Sequence, residues 1–266
     1  MDLQEILHNV IEWAREVGKI QLDKIDKEIE YSSKSTNVDM VTEVDLLSEK
    51  IIMDKIKQYY PEHSILSEEN GELNKESDYV WVVDPLDGTN NYLHRIPIFC
   101  ISIALKHLGE TILGVVYVPK LDEMFYSIKG EGAYLNDTKI KVGDKDALDQ
   151  CILATGFPYD KKVSEHNNVN LFCNIVKELQ GVRRTGTAAF DLCSVACGRF
   201  DGYWELKLSL WDMAAGELIV KEAGGEVITS KINKEDGTEG INIIAGNEKV
   251  VSLVKEKVNE IHNYFN

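Results

Sequence analysis

Histidine, cysteine and proline are all scarce in this chain, and basic residues are outnumbered. Its 266 residues include 6 His, 5 Cys and 5 Pro, with 29 Lys and Arg against 45 Asp and Glu. No CxxC or other metal-type spacing occurs among the cysteines and the histidines do not cluster, so no thiolate or imidazole metal site is legible. An odd number of free thiols fits a reducing cytoplasm, and Cys193 and Cys197, four apart, read as core thiols on one helix face. Few prolines and 28% charged residues give no sign of disorder. The formal charge of -16 repels nucleic acid and anionic membranes, so neither is expected as a partner. Apolar runs are too short to span a membrane. The first twenty residues carry charges throughout and lack an apolar signal core, so a cytoplasmic location is expected. An anionic substrate would also be repelled, unless bound cations reversed the local field.

The 44% of residues that are hydrophobic suffice for a large core. Leu3, Ile6, Leu7, Val10, Ala14 and Val17 recur at helical spacing and predict an N-terminal helix. Residues 31–37 (YSSKSTN) read as a mobile loop. A second helix is expected from about Asp45, burying Leu46, Ile52 and Ile56 and stopping before Pro61. Residues 79–83 (YVWVV) read as a buried strand that ends in DPLDGTNN, with further strands at 100–105 and 113–118 and turns over 130–136. The polar stretch 142–149 suggests a soft boundary between an N-terminal α+β half (1–148) and a C-terminal α/β half (149–266). In that second half, strands are expected at 152–155, 200–206, near Val227 and near Ile243. Helices are expected at 169–179 with Gly181 as a stop, at 187–197, at about 212–223, and from Asn247 onward.

Four acidic clusters sit at the ends of these elements: Asp39 and Asp45 in NVDMVTEVD, Glu68 and Glu69 in ILSEENG, Asp84 and Asp87 in DPLDGTNN, and Asp212 in LWDMAAG. Each has a plain explanation. Acidic runs are usually solvated, DPLDG has the residues of a turn, and Asp45 or Asp212 would serve as a helix N-cap. DPLDGT resists that reading. A buried strand delivers Asp84 to its C-terminal end, where open α/β sheets bind ligands. Two carboxylates three residues apart, with the Leu86 carbonyl between them, can converge on one hard cation such as Mg²⁺. Gly88 then lets a phosphate approach the backbone, and Thr89 and Asn90 offer N–H groups at a helix start. Phosphate monoester hydrolysis needs accelerations of up to roughly 10²¹, which a lone general base does not supply. Two metals about 3.5–4 Å apart do, by clamping the attacking and leaving oxygens, and they require about four or five carboxylates. The lone His94 reads as a surface residue.

On these residues the chain resembles the inositol monophosphatase family. The matching blocks are VDMVTEVD (38–45), SEEN (67–70), WVVDPLDGTNNYLHRIP (81–97), GTAAFDLCSVACGRFDGYWE (186–205) and LWDMAAGELIVKEAGG (210–225), in the family's order over about 190 residues. The resemblance implies an α+β, layered αβαβα sandwich, commonly a homodimer, that hydrolyses a small phosphomonoester with two or three Mg²⁺ per site. It assigns metal binding to Glu68, Asp84, the Leu86 carbonyl, Asp87 and Asp212. It gives Asp45 and Thr89 the orientation of the attacking water, alongside the catalytic Glu68. The substrate side falls to Asp87, Gly88, Thr89, Gly186, Thr187, Ala188, Glu205 and Asp212, and Lys34 and Asp39 to a mobile loop that completes the site. Lithium sensitivity is a further implication. The family often has Gly before the acidic pair where this chain has Ser67, for which a minor backbone adjustment is expected. Inositol monophosphate is the first substrate to consider. The alternatives within the superfamily are fructose-1,6-bisphosphatase, nucleotide 3′-phosphatase and histidinol-phosphatase activities. Outside it stand a binding module that keeps the fold and a plain cation buffer.

Overall fold

Residues 2–34, 38–73, 76–235 and 237–265 are described by a computed structural model. Helix α1 (Leu3–Lys24) is capped by Asp2, whose carboxylate accepts from the Gln4 and Glu5 amides. Strand β1 (Tyr31–Ser33) pairs antiparallel with β2 (Met40–Thr42), where a loop had been expected; Ser35, Thr36 and Asn37 lie outside the described residues. Helix α2 (Glu43–Tyr59) begins two residues earlier than expected, because Thr42 is its N-cap and Asp45 occupies the third helical position. It buries Val44, Ile52, Met53 and Ile56, while Leu46, expected inside, is 52% exposed. That helical face points away from the sheet.

The first sheet continues with β3 (Ser64–Ser67), β4 (Gly71–Leu73) and β5 (Tyr79–Asp87), which runs on through the acidic motif; the short helix α3 (Thr89–Leu93) follows. Strands β6 (Cys100–His107), β7 (Glu110–Val118), β8 (Glu123–Ile128), β9 (Gly132–Leu135) and β10 (Thr138–Ile140) complete it. Its eight strands have the order β10-β9-β8-β7-β6-β5-β3-β4, antiparallel throughout except for the parallel pair β3 and β5. The remaining elements are β11 (Ile152–Thr155), α4 (Val169–Ile175), β12 (Gly181–Arg183), α5 (Ala188–Ala196), β13 (Gly202–Leu208), α6 (Leu210–Glu222), β14 (Glu226–Asn233), β15 (Glu239–Gly246) and α7 (Glu248–Asn259). Their strands form a second sheet of order β12-β11-β13-β15-β14. Gly181, expected to stop a helix, instead opens β12, because the helical run ends in a 3₁₀ turn at Glu178 and the chain is extended at Leu179.

Side-chain alternation along the strands builds the layers. Trp81 and Val83 of β5 face α1 and α2, packing with Val10, Trp13, Val17, Ile52 and Ile56. Val82 faces the opposite way, into a core shared with α5, α6 and the second sheet through Leu192, Ala215, Ile219, Tyr203 and Ile243. On the far side, Trp204 and Ile244 pack under α4 and α7 through Leu171, Ile175, Val250 and Val254. The layering is α, β, α, β, α, as expected. Fully buried Trp81 and Trp204 anchor the two outer interfaces, each contributing on the order of 2–3 kcal/mol by area alone. Among the described residues, no helix is long and apolar enough to cross a membrane.

Candidate active site

A cavity of about 1640 Å³ opens between the sheets and is lined by Glu68, Asp84, Leu86, Asp87, Gly88, Thr89 and Asp212 together with Lys34, Asp39, Gly186, Thr187, Ala188 and Glu205. The structure thus brings every expected site residue except Asp45 to its surface, from elements up to 178 residues apart in the chain (34 to 212). Asp45 lies directly behind the lining, buried under Thr89.

Strand β5 supplies the first two carboxylates. Its pairing with β6 shifts register between Asp84 and Asp87, because Pro85 has no N–H to give the ladder. The irregularity leaves the Leu86 amide to donate to Asp84 Oδ1 at 3.0 Å. Asp87 accepts from the Ala189 amide at 2.8 Å, which fixes the N-terminal turn of α5 against the motif. Gly88 follows with φ of 93°, and a Cβ there would stand 2.5 Å from Thr187 Oγ1; only glycine fits. Asn91 ties the same two segments together, donating to the carbonyls of Ile98 at 2.7 Å and Thr185 at 2.8 Å. Helix α6 brings Asp212, which is not the N-cap: Ser209 holds that position, and Asp212 Oδ2 accepts from its amide at 2.7 Å. The other oxygen remains available to the cavity.

Glu68 opens the turn after β3, and that turn is held from behind. Glu49 of α2 is fully buried. It accepts from Ser67 Oγ at 2.6 Å, the Glu69 amide at 2.9 Å, the Asn70 amide at 3.0 Å and Asn70 Nδ2 at 2.7 Å. Four donors on one carboxylate make a stiff anchor. Ser67 therefore does more than adjust the backbone: it supplies one of those donors. Glu49 escaped sequence reasoning because it is one Glu among many on an amphipathic helix; the signal lay in its spacing to the buried Ile52 and Ile56 face.

Asp45 is not the N-cap of α2, which is Thr42, but it closes that cap and also reaches Thr89. Its Oδ2 accepts from the Thr42 amide at 2.9 Å and from the Thr42 hydroxyl, closing the cap of α2. Its Oδ1 takes the Thr89 hydroxyl at 2.8 Å. The single Thr89 proton faces Asp45 Oδ1 and, at the longer distance of 3.2 Å, the Leu86 carbonyl, which leaves its lone pairs free to accept from a molecule in the cavity. Burial lifts the Asp45 carboxyl to about 6, against the pull of its hydrogen bonds from Thr42 and Thr89.

Burial and neighbouring charge act together on Asp84, Asp87 and Asp212. Burial, then the charges of Glu68, Asp87 and Asp212, push Asp84 well above the ordinary range. Asp87 is raised by burial and by Asp212, and Asp212 reaches about 7 through burial and Glu68. Lys34 touches the edge of the cluster, 2.7 Å from Glu68 and 2.5 Å from Glu69. Burial works against its ammonium, but these two carboxylates outweigh that and raise its pKa. Among the described residues, no three acidic, His or Cys side chains close around a single point; the carboxylates stand open, crowded and undercompensated. Their oxygen-only chemistry fits a hard divalent cation, which would remove the mutual repulsion. Asp39 lines the same cavity, and its carbonyl accepts from the Lys34 amide at 2.7 Å. His94 is exposed, as a surface residue should be.

On the opposite side, Glu205 accepts from the buried Tyr203 hydroxyl. Burial raises its carboxyl, and Tyr203 and Arg184 oppose the rise. Thr185 Oγ1 donates to buried Asp191 at 2.6 Å, holding the chain that leads into Gly186.

The chain is similar to known proteins over nearly its whole length. The model of the inositol monophosphatase family covers residues 2–262. The chain is 40% identical over 255 residues, 95% of both chains, to Nus factor SuhB of Escherichia coli strain K12. It is 42% identical over 250 residues to inositol-1-monophosphatase of Synechocystis, covering 94% of this chain and 87% of that one. The solved inositol monophosphatase of Anabaena superposes with a TM-score of 0.85 at 38% identity, over 98% of this chain and 97% of its own. Sequence and layering agree, and the chain belongs to the inositol monophosphatase family.

Proposed function

We propose that this protein hydrolyses small phosphomonoesters of polyols, inositol monophosphate first among them, with Mg²⁺ held by Glu68, Asp84, the Leu86 carbonyl, Asp87 and Asp212. The carrying observation is that Glu68, Asp84, Asp87 and Asp212 line one cavity together, with the proton affinities of Asp84, Asp87 and Asp212 raised first by burial and then by neighbouring carboxylate charge. A fold retains such a cluster at a cost in stability, and a cation that relieves it gives the cost a purpose. When bound, Mg²⁺ would supply charge neutralisation for the phosphate and acidify water. The chain's own part is orientation. Thr89 Oγ1, committed as a donor to Asp45, accepts a hydrogen bond from the attacking water and aims its oxygen at phosphorus. Asp45, lifted to about 6, is mostly ionised near neutral pH and is suited to take the Thr89 proton as Thr89 Oγ1 takes one from the water. The water oxygen bonds to phosphorus, the ester P–O bond breaks, and the departing alkoxide takes up a proton to leave as the alcohol. Gly88 and the α5 start at Thr187 and Ala188 leave room for the phosphate oxygens, and Glu205 accepts from hydroxyls of the alcohol. Phosphate release from a panel of phosphomonoesters, with and without Mg²⁺, tests the reading: turnover that does not need the cation would defeat it.

The SuhB relatives are named Nus factors, and 40% identity over 95% of both chains supports a second reading in which this chain shares that role. Asp84→Asn separates the two: a Nus-factor role that is independent of hydrolysis would survive the substitution.

A further inference from the structure

Strand β13 leaves its regular pairing with β15 between Glu205 and Leu208, and Lys207 sits in the gap with φ of 62°. Left-handed backbone at a non-glycine residue is uncommon and is kept where the side chain has work to do. Lys207 is a charged residue with a side chain only 2% exposed. The irregularity turns it out of the strand and toward the segment that follows β11. There its Nζ lies 2.6 Å from Asp160 Oδ2 and 2.6 Å from Ser164 Oγ. The same segment is closed at its far end by buried Asn168. That side chain donates to Thr155 Oγ1 at 2.9 Å and accepts from Trp204 Nε1 at 2.8 Å. Between the two fastenings, Phe157, Pro158 and Tyr159 line the cavity that holds the carboxylates. Glu205, two residues before Lys207, stands directly against the start of this segment: a Cβ on Gly156 would lie 2.1 Å from its Oε1.

We propose that Lys207 is a positioning residue for substrate choice. By binding Asp160 and Ser164 it fixes residues 157–163 as the wall beside Glu205, and that wall shapes the space left for the alcohol part of the substrate. The inference rests on the phosphomonoesterase reading and deepens it. The carboxylate end of the cavity takes the phosphate; the wall carries no cluster of acids, and its rings of Phe157, Pro158 and Tyr159 offer apolar faces beside one hydrogen-bond acceptor. A compact cyclic polyol, apolar on its ring faces and hydroxylated at its edge, matches that pairing. Lys207 also borders the cavity, but two of its three ammonium protons are directed at Asp160 and Ser164.

The segment carries its own probe, because Lys161 and Lys162 are exposed on it and are trypsin sites. Lys207→Met keeps the length of the side chain and removes the charge; Lys207→Gly also relieves the left-handed backbone. Trypsin should cut after Lys161 or Lys162 about tenfold faster in both variants than in the natural protein, as expected when a local closure is lost. KM for a cyclic polyol monophosphate should rise about fivefold or more while kcat stays within about twofold and methyl phosphate is unaffected. Lys207→Gly should melt no lower than Lys207→Met, which assigns the loosened segment to the lost ammonium and not to the backbone. If Lys207→Met does not fold, Ser164→Ala removes one of the two contacts and should show the same direction in both readouts. Unchanged cleavage, or an equal loss on both substrates, overturns the proposal. A natural protein that turns over neither substrate overturns the phosphatase reading instead, and the trypsin comparison still reports whether Lys207 fastens the segment.

Discussion

The two walls of the cavity handle charge in opposite ways. On one, Asp84, Asp87 and Asp212 line the cavity beside Glu68, and burial together with neighbouring carboxylate charge raises their proton affinity. Among the described residues, Lys34 is the cation in ion-pair contact with that wall, and it reaches only Glu68 and Glu69. On the other, Lys207 is matched by Asp160 and Ser164, and Glu205 by Tyr203. A buried charge that is paired serves position; buried charges that repel one another make room for something absent from the chain itself. On the proposed function, the contrast separates the wall that reacts from the wall that selects.

The largest expected effect comes from weakening the repelling wall. Asp84→Asn or Asp212→Asn should lower kcat/KM for a phosphomonoester by at least about 10²-fold, as loss of a single electrostatic contributor does elsewhere. The same substitutions should raise the melting temperature of the metal-free protein at pH 8, because a repelling charge is gone. Calorimetry showing a lower value would mean that these carboxylates stabilise the fold and the contrast is false.

Asp45 and Thr89 come next. Thr89→Val should reduce kcat by about 10² or more, within the range of positioned proton transfer, with the α2 cap intact. Asp45→Asn should cost similar activity and also about 1 kcal/mol of stability from the weakened cap. Urea titrations of the two variants side by side check the difference; equal stability would mean that the cap contributes nothing.

Glu49→Gln sharpens the comparison from behind the reacting wall. Removing the charge from a carboxylate with four donors should cost about 1.5–3 kcal/mol of stability. By loosening the Glu68 turn it should raise the Mg²⁺ concentration for half-maximal activity, with kcat at saturating Mg²⁺ largely kept. A kcat loss that Mg²⁺ does not rescue would place Glu49 in the chemistry and not behind it.

On the selecting wall, Glu205→Gln should lower kcat/KM for inositol monophosphate by about 1–3 kcal/mol, the range for a hydrogen-bonding group left unsatisfied. A small alkyl phosphate should be affected much less. Equal losses would transfer Glu205 to the reacting wall.

A further effect is on the pH dependence of stability. Asp45 at about 6, and Glu69 and Asp212 at about 7, have folded-state values raised above the usual carboxylate range. The folded chain therefore holds more protons than the unfolded one, and metal-free stability should fall as pH rises from about 4 to about 7. Saturating Mg²⁺ should flatten that fall. A curve with the same slope with and without Mg²⁺ would separate the cluster from the cation.

The reacting wall was far more legible in the sequence than the selecting one, for a physical reason. Metal-type chemistry needs particular residues at particular element ends, so DPLDGT and LWDMAAG stand out locally. Positioning contacts join residues distant in sequence: Lys207 to Asp160 spans 47 residues and Asn91 to Thr185 spans 94, and neither has a local pattern. Strands with clear β-branched runs, such as β5 and β7, were readable, whereas β8 to β10 were hidden among glycine turns. Helix starts were misplaced by two residues for one cause: at both α2 and α6 the acid is the third helical residue, and the capping Thr42 or Ser209 precedes it.

The most direct test of the account is the release of phosphate from inositol monophosphate by the natural protein, titrated with Mg²⁺ at neutral pH. The account predicts no turnover in excess chelator, activity that rises with Mg²⁺ to saturation, and a response abolished by Asp84→Asn. Turnover that is indifferent to Mg²⁺, or an Asp84→Asn variant as active as the natural protein, would contradict it.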